Sequence, residues 1–302
     1  MQLVTTPKID THCHILDPAR FPYAADVAYR PAGQEIGTLA QYREVMDAYG
    51  VHHALLVGPN SGYGLDNRCL LDAIAQGAGR FKGIAVVRND AGTDELQALQ
   101  AAGIVGVAFN ATLFGAAHYA ATAPLLQRLA DLQMFIQVQV EHDQLVALAP
   151  LLRASGARIL IDHCGRPDPG AGIDQPGFQA LLALGREVGT DVGTAGGTAA
   201  GTSCRAAIKL SGWQKFSRQG PPYTDALPFV QALIEAFTLD GCLWASDWPY
   251  LKATERLDYG PLLRQLQRLL PDPSDQHRVL WRNPQRLFGF APPPSHALEL
   301  TA

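Results

Sequence analysis

Eight short apolar runs divide the chain: Ile9–Ile15, Ala54–Pro59, Gly83–Val87, Gly106–Ala111, Phe135–Val140, Arg158–His163, Ala207–Ser211 and Cys242–Ser246. Several are continuous in Val, Ile and Leu rather than alternating, the pattern of strands covered on both faces of a parallel sheet. Between them the apolar spacing turns helical. Leu39, Tyr42, Val45, Met46 and Tyr49 fall on one face of Thr38–Tyr49, with Thr38 placed as the N-cap. Asp66–Ala75, Asp94–Ala102, Ala123–Asp131, Gln144–Ala154, Phe178–Glu187, Leu227–Phe237 and Tyr259–Leu269 obey the same rule. Strand and helix alternate eight times over short connections. This predicts an α/β protein, a (β/α)8 TIM barrel, with residues 1–290 as a single domain. A doubly wound open sheet is the alternative. No Gly-x-Gly-x-x-Gly comes after an early strand, which weighs against it.

Two segments break the pattern. Gly189–Ser203 reads GTDVGTAGGTAAGTS, with almost no side chain able to pack, and is expected as a flexible insertion. Lying after a helix and before a strand, it belongs on the barrel face opposite the catalytic one. Residues 291–302 are expected as a loosely held tail.

Composition narrows the class. The chain has 302 residues, 47% hydrophobic and 17% charged, which suits a folded α/β protein. A net charge of −4 with no basic run leaves no footprint for nucleic acid. The odd, scattered set Cys13, Cys69, Cys164, Cys204 and Cys242 argues against a disulfide framework and against a thiolate zinc site. No run of about 20 apolar residues is present, and residues 1–8 have no apolar signal core. A cytoplasmic enzyme with no membrane partner is the expectation; the oligomeric state, a homo-oligomer included, stays open.

In such a fold, groups at the carboxyl ends of the strands converge on one mouth. The first run ends Asp10-Thr11-His12-Cys13-His14, the sixth Asp162-His163-Cys164-Gly165-Arg166, and the eighth Ser246-Asp247-Trp248-Pro249. Ionisable groups are costly at the ends of apolar strands unless something uses them. Strand residues two apart share a face, so His12 and His14 enter one site while Cys13 faces away. An isolated His-x-His also reads as a barrel cap with one solvated ring. The recurrence of His163 and Asp247 at two other strand ends favours chemistry, with Asp247 as general base rather than a turn residue. Arg166 either pairs with Asp162 or Asp168 or takes a substrate carboxylate in bidentate fashion. Trp213 and Lys215, after the seventh run, and Tyr29 are candidates for lining the site; surface or packing roles are the alternative for each.

The segments IDTHCH, IDHCGRPD, KLSG and WASDWP, in that order, resemble the amidohydrolase superfamily. They are most similar to its branch of 2-pyrone-4,6-dicarboxylate lactonases and sugar-lactone or muconolactone hydrolases. DNRCLLDAI and NPQRLFGF extend the resemblance over Lys8 to Phe290. The resemblance implies catalytic roles for His12, His14, His163 and Asp247, with Asp247 activating water. It implies that Arg166 and Tyr29 lie near the substrate. Metal-dependent relatives add a fourth-strand lysine or a fifth-strand histidine. Here the fourth run has GVAFN and the fifth FIQVQV, with Gln137 and Gln139 in place of a ligand. An amide is a poor zinc ligand beside imidazole. His12, His14 and Asp247 remain as three ligands for a divalent metal such as zinc, and metal independence is the expectation. The dicarboxylate lactonase pattern has an arginine where Ala108 stands, and TLFGAAH supplies no replacement. A lactone with one acid group, or a neutral sugar lactone, is therefore expected over the pyrone dicarboxylate.

The reading that results is a lactonase: Asp247 takes a proton from water, and the three histidines polarise the carbonyl or stabilise the oxyanion. Its partner is a small lactone or organic acid. The rivals are a zinc-dependent hydrolase or decarboxylase, a lactone isomerase using a substrate hydroxyl as nucleophile, and a barrel that only binds a small acid.

Overall fold

The run from Lys8 to Cys13 is buried at all six positions, which an edge or one-sided strand could not be. It is β1 of a sheet whose strands come in sequence order: β2 (Val51–Val57), β3 (Phe81–Ala85), β4 (Ile104–Asn110), β5 (Phe135–Gln139), β6 (Arg158–Ile161), β7 (Ala206–Lys209) and β8 (Cys242–Leu243). Each is succeeded by a helix: α1 (Leu39–Tyr49), α2 (Arg68–Gln76), α3 (Thr93–Ala101), α4 (Ala123–Asp131), α5 (Gln144–Ala154), α6 (Pro176–Val188), α7 (Leu227–Phe237) and α8 (Tyr259–Leu269). Sequential parallel strands with a helix after each make this the (β/α)8 barrel class. The computed structural model describes residues 4, 6–188 and 205–292. The 189–203 tract and residues 293–302 of the tail lie outside the described residues.

Helix ends obey local chemistry. Thr38 and Gln41 form a reciprocal capping box at the start of α1, and Gly50, at φ 64°, ends it in the left-handed region. Four helices occupy the spans their apolar spacing sets, α4, α5, α7 and α8. The C-terminal helices Pro273–His277 and Asn283–Phe288 are additions to the sequence reading. All eight strands end one to three residues short of their apolar runs. The sixth ends at Ile161 instead of His163, and the eighth at Leu243 instead of Ser246. Beyond these two ends the backbone enters the left-handed region, at His163 (φ 48°) and Asp247 (φ 63°), which stops the ladder. No described helix is long and apolar enough to cross a membrane.

The chain packs as two compact units. One holds residues 1–88, 97–108 and 244–302, the other 89–96 and 109–243. In the first, β1, β2, β3 and the start of β4 pair in parallel, and the segment after β8 runs beside β1. In the second, β5 to β8 pair in parallel. The described cysteines Cys13, Cys69, Cys164 and Cys242 are buried.

The first unit is organised on Asp10, which has no exposed surface. Its Oδ2 accepts from Ser246 Oγ at 2.5 Å and from the hydroxyls of Tyr42 and Tyr259 at 2.9 Å each. Its Oδ1 accepts from Ser246 N at 2.9 Å and His12 N at 3.2 Å. Burial pushes the Asp10 carboxyl above its ordinary range, and the Ser246 and His12 bonds oppose that. Burial also holds both phenols well above theirs, so each keeps the proton it donates. One carboxylate thus ties β1 to α1, to α8 and to the chain after β8. Lys8, at the other end of β1, is also fully buried; its ammonium donates to the carbonyls of Val4, Thr6 and Tyr49.

A hydrogen bond to a buried charged group contributes about 1.5–3 kcal/mol. Tyr42→Phe and Tyr259→Phe, which remove one donor each without changing shape, are expected to lower the unfolding free energy by about that amount in urea titrations. The Lys8 ammonium gives a pH signature. Burial lowers its pKa from 10.5 to about 7. Between those values the unfolded chain holds the proton and the folded one does not, so stability rises with pH. Relative to Lys8→Met, the wild-type unfolding free energy should grow from pH ~7 toward pH ~10 and level off below.

Candidate active site

His12 and His14 share a face because they stand two apart at the end of β1. Their rings meet edge to face, with centroids 4.9 Å apart and planes at 83°. The two Nε2 atoms are 3.3 Å apart. Asp247 Oδ1 lies 3.7 Å from Nε2 of His12 and 3.8 Å from Nε2 of His14. All three residues are buried. Cys13 faces away, its Sγ 3.9 Å from the Leu55 carbonyl. Asp247 is held by main-chain bonds: its N–H donates to His12 O at 2.8 Å, and the next residue's carbonyl accepts from His14 N at 2.8 Å. The sequence brings these three together as expected, although Asp247 reaches them from a left-handed turn rather than a strand end.

The tautomer of His14 is set by its partner. Nδ1 lies 2.8 Å from the Val57 carbonyl, which only accepts, so Nδ1 carries the hydrogen. Neutral His14 therefore presents a lone pair at Nε2, toward His12 and Asp247. It donates there only as an imidazolium. Such a lone pair suits a base or a metal ligand.

The three atoms fit a divalent cation. They belong to a group of His and carboxylate atoms that lie within 4.8 Å of one another. From their separations, a point in their plane is about 2.1 Å from each, the zinc–imidazole distance. A water oxygen reaches hydrogen-bonding distance, about 2.8 Å from all three, by standing about 1.9 Å above that plane. Two imidazoles and a carboxylate suit zinc by donor type.

The second unit carries His163 and Arg166. His163, Cys164, Gly165 and Arg166 are four consecutive residues at positive φ, a tight turn at the end of β6. His163 is buried, its Nδ1 3.3 Å from Ser211 Oγ. Gly212, at φ 72°, packs against this ring; a Cβ there would stand 2.7 Å from Nδ1. Neither expected acid partner of Arg166 is the one it has. Its guanidinium meets Glu141 at 3.0 Å, because Asp162 is engaged by Lys209 at 2.9 Å and Asp168 by Arg218 at 2.8 Å. Trp213 is buried, and its indole N–H has no hydrogen-bond partner among the described residues. Lys215 lies two residues on in the same turn and is half-buried. Tyr29, in the first unit, is half-buried. Its hydroxyl donates to Glu35, which pushes the phenol up to about 12, and the Lys252 ammonium lies 4.9 Å from its ring centre.

The sequence reading assigned no role to Asp10, Lys209 or Glu141, and Asp162 entered it only as a candidate partner of Arg166. Gln137 entered it only as an absent ligand. Its amide is committed elsewhere, accepting from Lys209 Nζ at 2.7 Å and donating to Asp162 Oδ2 at 2.8 Å. A signal was present. Both histidine motifs open with Ile-Asp, IDTHCH and IDHCGR, and an acid inside an apolar run implies a buried partner.

Comparison with known proteins adds four findings. The Amidohydrolase family profile matches residues 9–290. A 4-sulfomuconolactone hydrolase of Rhizobium radiobacter is 33% identical over 290 residues, covering 93% of this chain and 89% of that protein. A 2-pyrone-4,6-dicarboxylate hydrolase of Comamonas testosteroni is 28% identical over 284 residues, with 93% and 89% covered. Among solved structures, a probable 2-pyrone-4,6-dicarboxylic acid hydrolase of Acinetobacter baumannii with citric acid bound is similar. It has 28% identity and a TM-score of 0.76 over 94% of this chain and 99% of that one.

The triangle can be tested by binding alone. Chelator-treated protein is expected to take up zinc at this site in calorimetric titration. His12→Ala and Asp247→Asn are expected to weaken that uptake by more than about 100-fold. Equal affinity in the variants and the wild type would place the cation elsewhere.

Proposed function

The chain belongs to the amidohydrolase family, and we propose that it is a hydrolase that opens a small lactone ring, with Asp247 as the base that activates water. The observation that carries this is the buried carboxylate oxygen 3.7 and 3.8 Å from two imidazole nitrogens. The relatives named for lactone hydrolysis support it over nearly the whole chain. The water oxygen bonds to the lactone carbonyl carbon as Asp247 accepts its proton. The tetrahedral intermediate then breaks the ring C–O bond. The leaving alkoxide takes the proton back from Asp247, and the product is a hydroxy acid. Asp247 thus returns to its starting form with no net proton gained.

The tautomer of His14 changes one part of the expected chemistry. A neutral His14 has no hydrogen at Nε2 to give an oxyanion, so metal independence is not the better-supported reading. A divalent cation held by His12, His14 and Asp247 would polarise the carbonyl and favour ionisation of water. His163, placed by a turn that fixes its ring against Ser211 and Gly212, is assigned to stabilising the developing oxyanion. Arg166 is assigned to an acid group of the substrate. Glu141 already offsets its charge, which fits one carboxylate rather than two. Ala108 supplies no second cation. The substrate proposed is therefore a lactone with one acid group, or a neutral one. Trp213, Lys215 and Tyr29 are assigned to contacts around it, the buried indole N–H being a donor for a substrate oxygen.

Asp247→Asn keeps the shape and removes the basic oxygen. Hydrolysis should fall by about 10²–10⁴-fold in a pH-indicator assay over a lactone panel. The same assay on chelated protein of measured metal content separates the two parts of the proposal. A dead metal-free enzyme revived by zinc supports the cation, and full activity without metal removes it. No turnover of any lactone overturns the substrate class.

A further inference from the structure

Three side chains, from β5, β7 and the residue just after β6, close a ring inside the second unit. Lys209 Nζ on β7 donates to Asp162 Oδ1 at 2.9 Å and to Gln137 Oε1 on β5 at 2.7 Å. Gln137 Nε2 donates to Asp162 Oδ2 at 2.8 Å. Exposure of the three is between 0% and 2%, so bulk solvent does not reach the charges. An ion pair this deep is poor evidence for stability, since desolvation cancels most of its attraction. Apolar side chains would fill the same space more cheaply. The ring is better explained by what it fixes.

Directly after Asp162 the chain enters the turn that carries His163 and Arg166. Left-handed backbone is unfavourable for any residue with a Cβ, and here His163, Cys164 and Arg166 adopt it at φ 48°, 57° and 46°. Such a turn persists only where its surroundings over-determine it. Asp162 N donates to Val138 O at 3.0 Å, and Asp162 O accepts from Gly165 N at 2.9 Å. Cys164 Sγ reaches the carbonyls of Lys209 and Ser211 at 3.7 and 3.6 Å. Asp162 is therefore gripped by backbone on one side and by Lys209 and Gln137 on the other, one residue before His163.

We infer that the Asp162–Lys209–Gln137 ring is a positioning device for the reaction: Asp162, clamped by Lys209 and Gln137, sets the His163 turn. This rests on the assignment of His163 to catalysis. The ring's contribution is to hold an imidazole in place, where an error of about 1 Å can cost about 100-fold in rate.

The double variant Asp162→Asn/Lys209→Met is the test, run as steady-state kinetics and thermal unfolding on the full chain. Asp162→Asn alone leaves the Lys209 charge uncompensated and is expected to lower the Tm sharply. The double variant removes both charges, so its Tm is expected to return toward wild type. Its kcat is expected to stay about 100-fold low with KM within about threefold, because the clamp is gone. Gln137→Leu, which opens the ring and keeps the ion pair, is expected to lower kcat by about tenfold with little change in KM. Recovery of both Tm and kcat in the double variant would overturn the inference, leaving the ring a purely structural pair. So would a wild-type kcat in Gln137→Leu. His163→Ala separates this from the underlying reading. If that variant keeps full activity, the catalytic assignment of His163 fails, whatever the ring variants do.

Discussion

The first unit depends on one desolvated carboxylate. Taking an isolated ionised carboxylate out of water costs several kcal/mol even after relaxation, so Asp10 is tolerable only because five donors surround it. Those donors come from four places in the sequence: the start of the His pair, the middle of α1, the first residue of α8 and the chain after β8. His12 N and Ser246 N bind the same oxygen, and Ser246 precedes Asp247. The imidazole pair and the proposed base are therefore referenced to a single atom. Any shift of Asp10 moves both together and preserves their separations better than two independent anchors would.

The same economy of donors and acceptors determines what the His pair can do. Val57 O claims the Nδ1 hydrogen of His14, and that choice propagates. The Nε2 lone pair faces another imidazole nitrogen and a carboxylate oxygen, three electron-rich atoms in one buried place. Without a proton or a cation among them the repulsion is uncompensated at low dielectric. A hydrogen on His12 Nε2 would relieve part of it, and a divalent cation would relieve more. Absence of a fifth-strand histidine, read from FIQVQV, removes one ligand position but leaves this triangle intact.

The legible part of the molecule is what period and composition control. Buried strands such as β6 and β7 appear as short apolar runs, Ile159–Ile161 and Ala206–Ile208, and α4, α5, α7 and α8 occupy the spans their apolar stripes mark. His12, His14 and Asp247 come together because a two-residue spacing and a strand end are local facts. What was not legible depends on long-range pairing. Arg166 had two acids nearby in sequence and found Glu141 instead, because Lys209 and Arg218 had taken the others. Lys209 looked like one letter of KLSG until its partners on β5 and just after β6 were known. Tyr42 counted as an apolar residue of α1; only its hydroxyl bond to Asp10 shows why phenylalanine would be a poorer choice.

The strand ends show why the remainder could not be read from period alone. A regular strand offers side chains only two directions, up to its last paired residue. His12, in β1, and His14, one residue past its end and not at positive φ, keep to it and share a face. His163 and Asp247 do not: each sits beyond its strand, at φ 48° and 63°, where the chain has left the ladder. Left-handed backbone costs energy at a residue with a Cβ, so each site needs bonds that outweigh it. Asp247 has its amide on His12 O and Tyr250 N on its own carbonyl. His163 has the clamp of Asp162 before it and the Arg166 N–H on its carbonyl. Strain therefore coincides with the residues assigned to chemistry, and it is in these two turns that the local sequence signal and the structure part company. A sequence rule that extends strands through every apolar residue will overrun such ends, as it did at Asp162-His163 and at Ala245-Ser246.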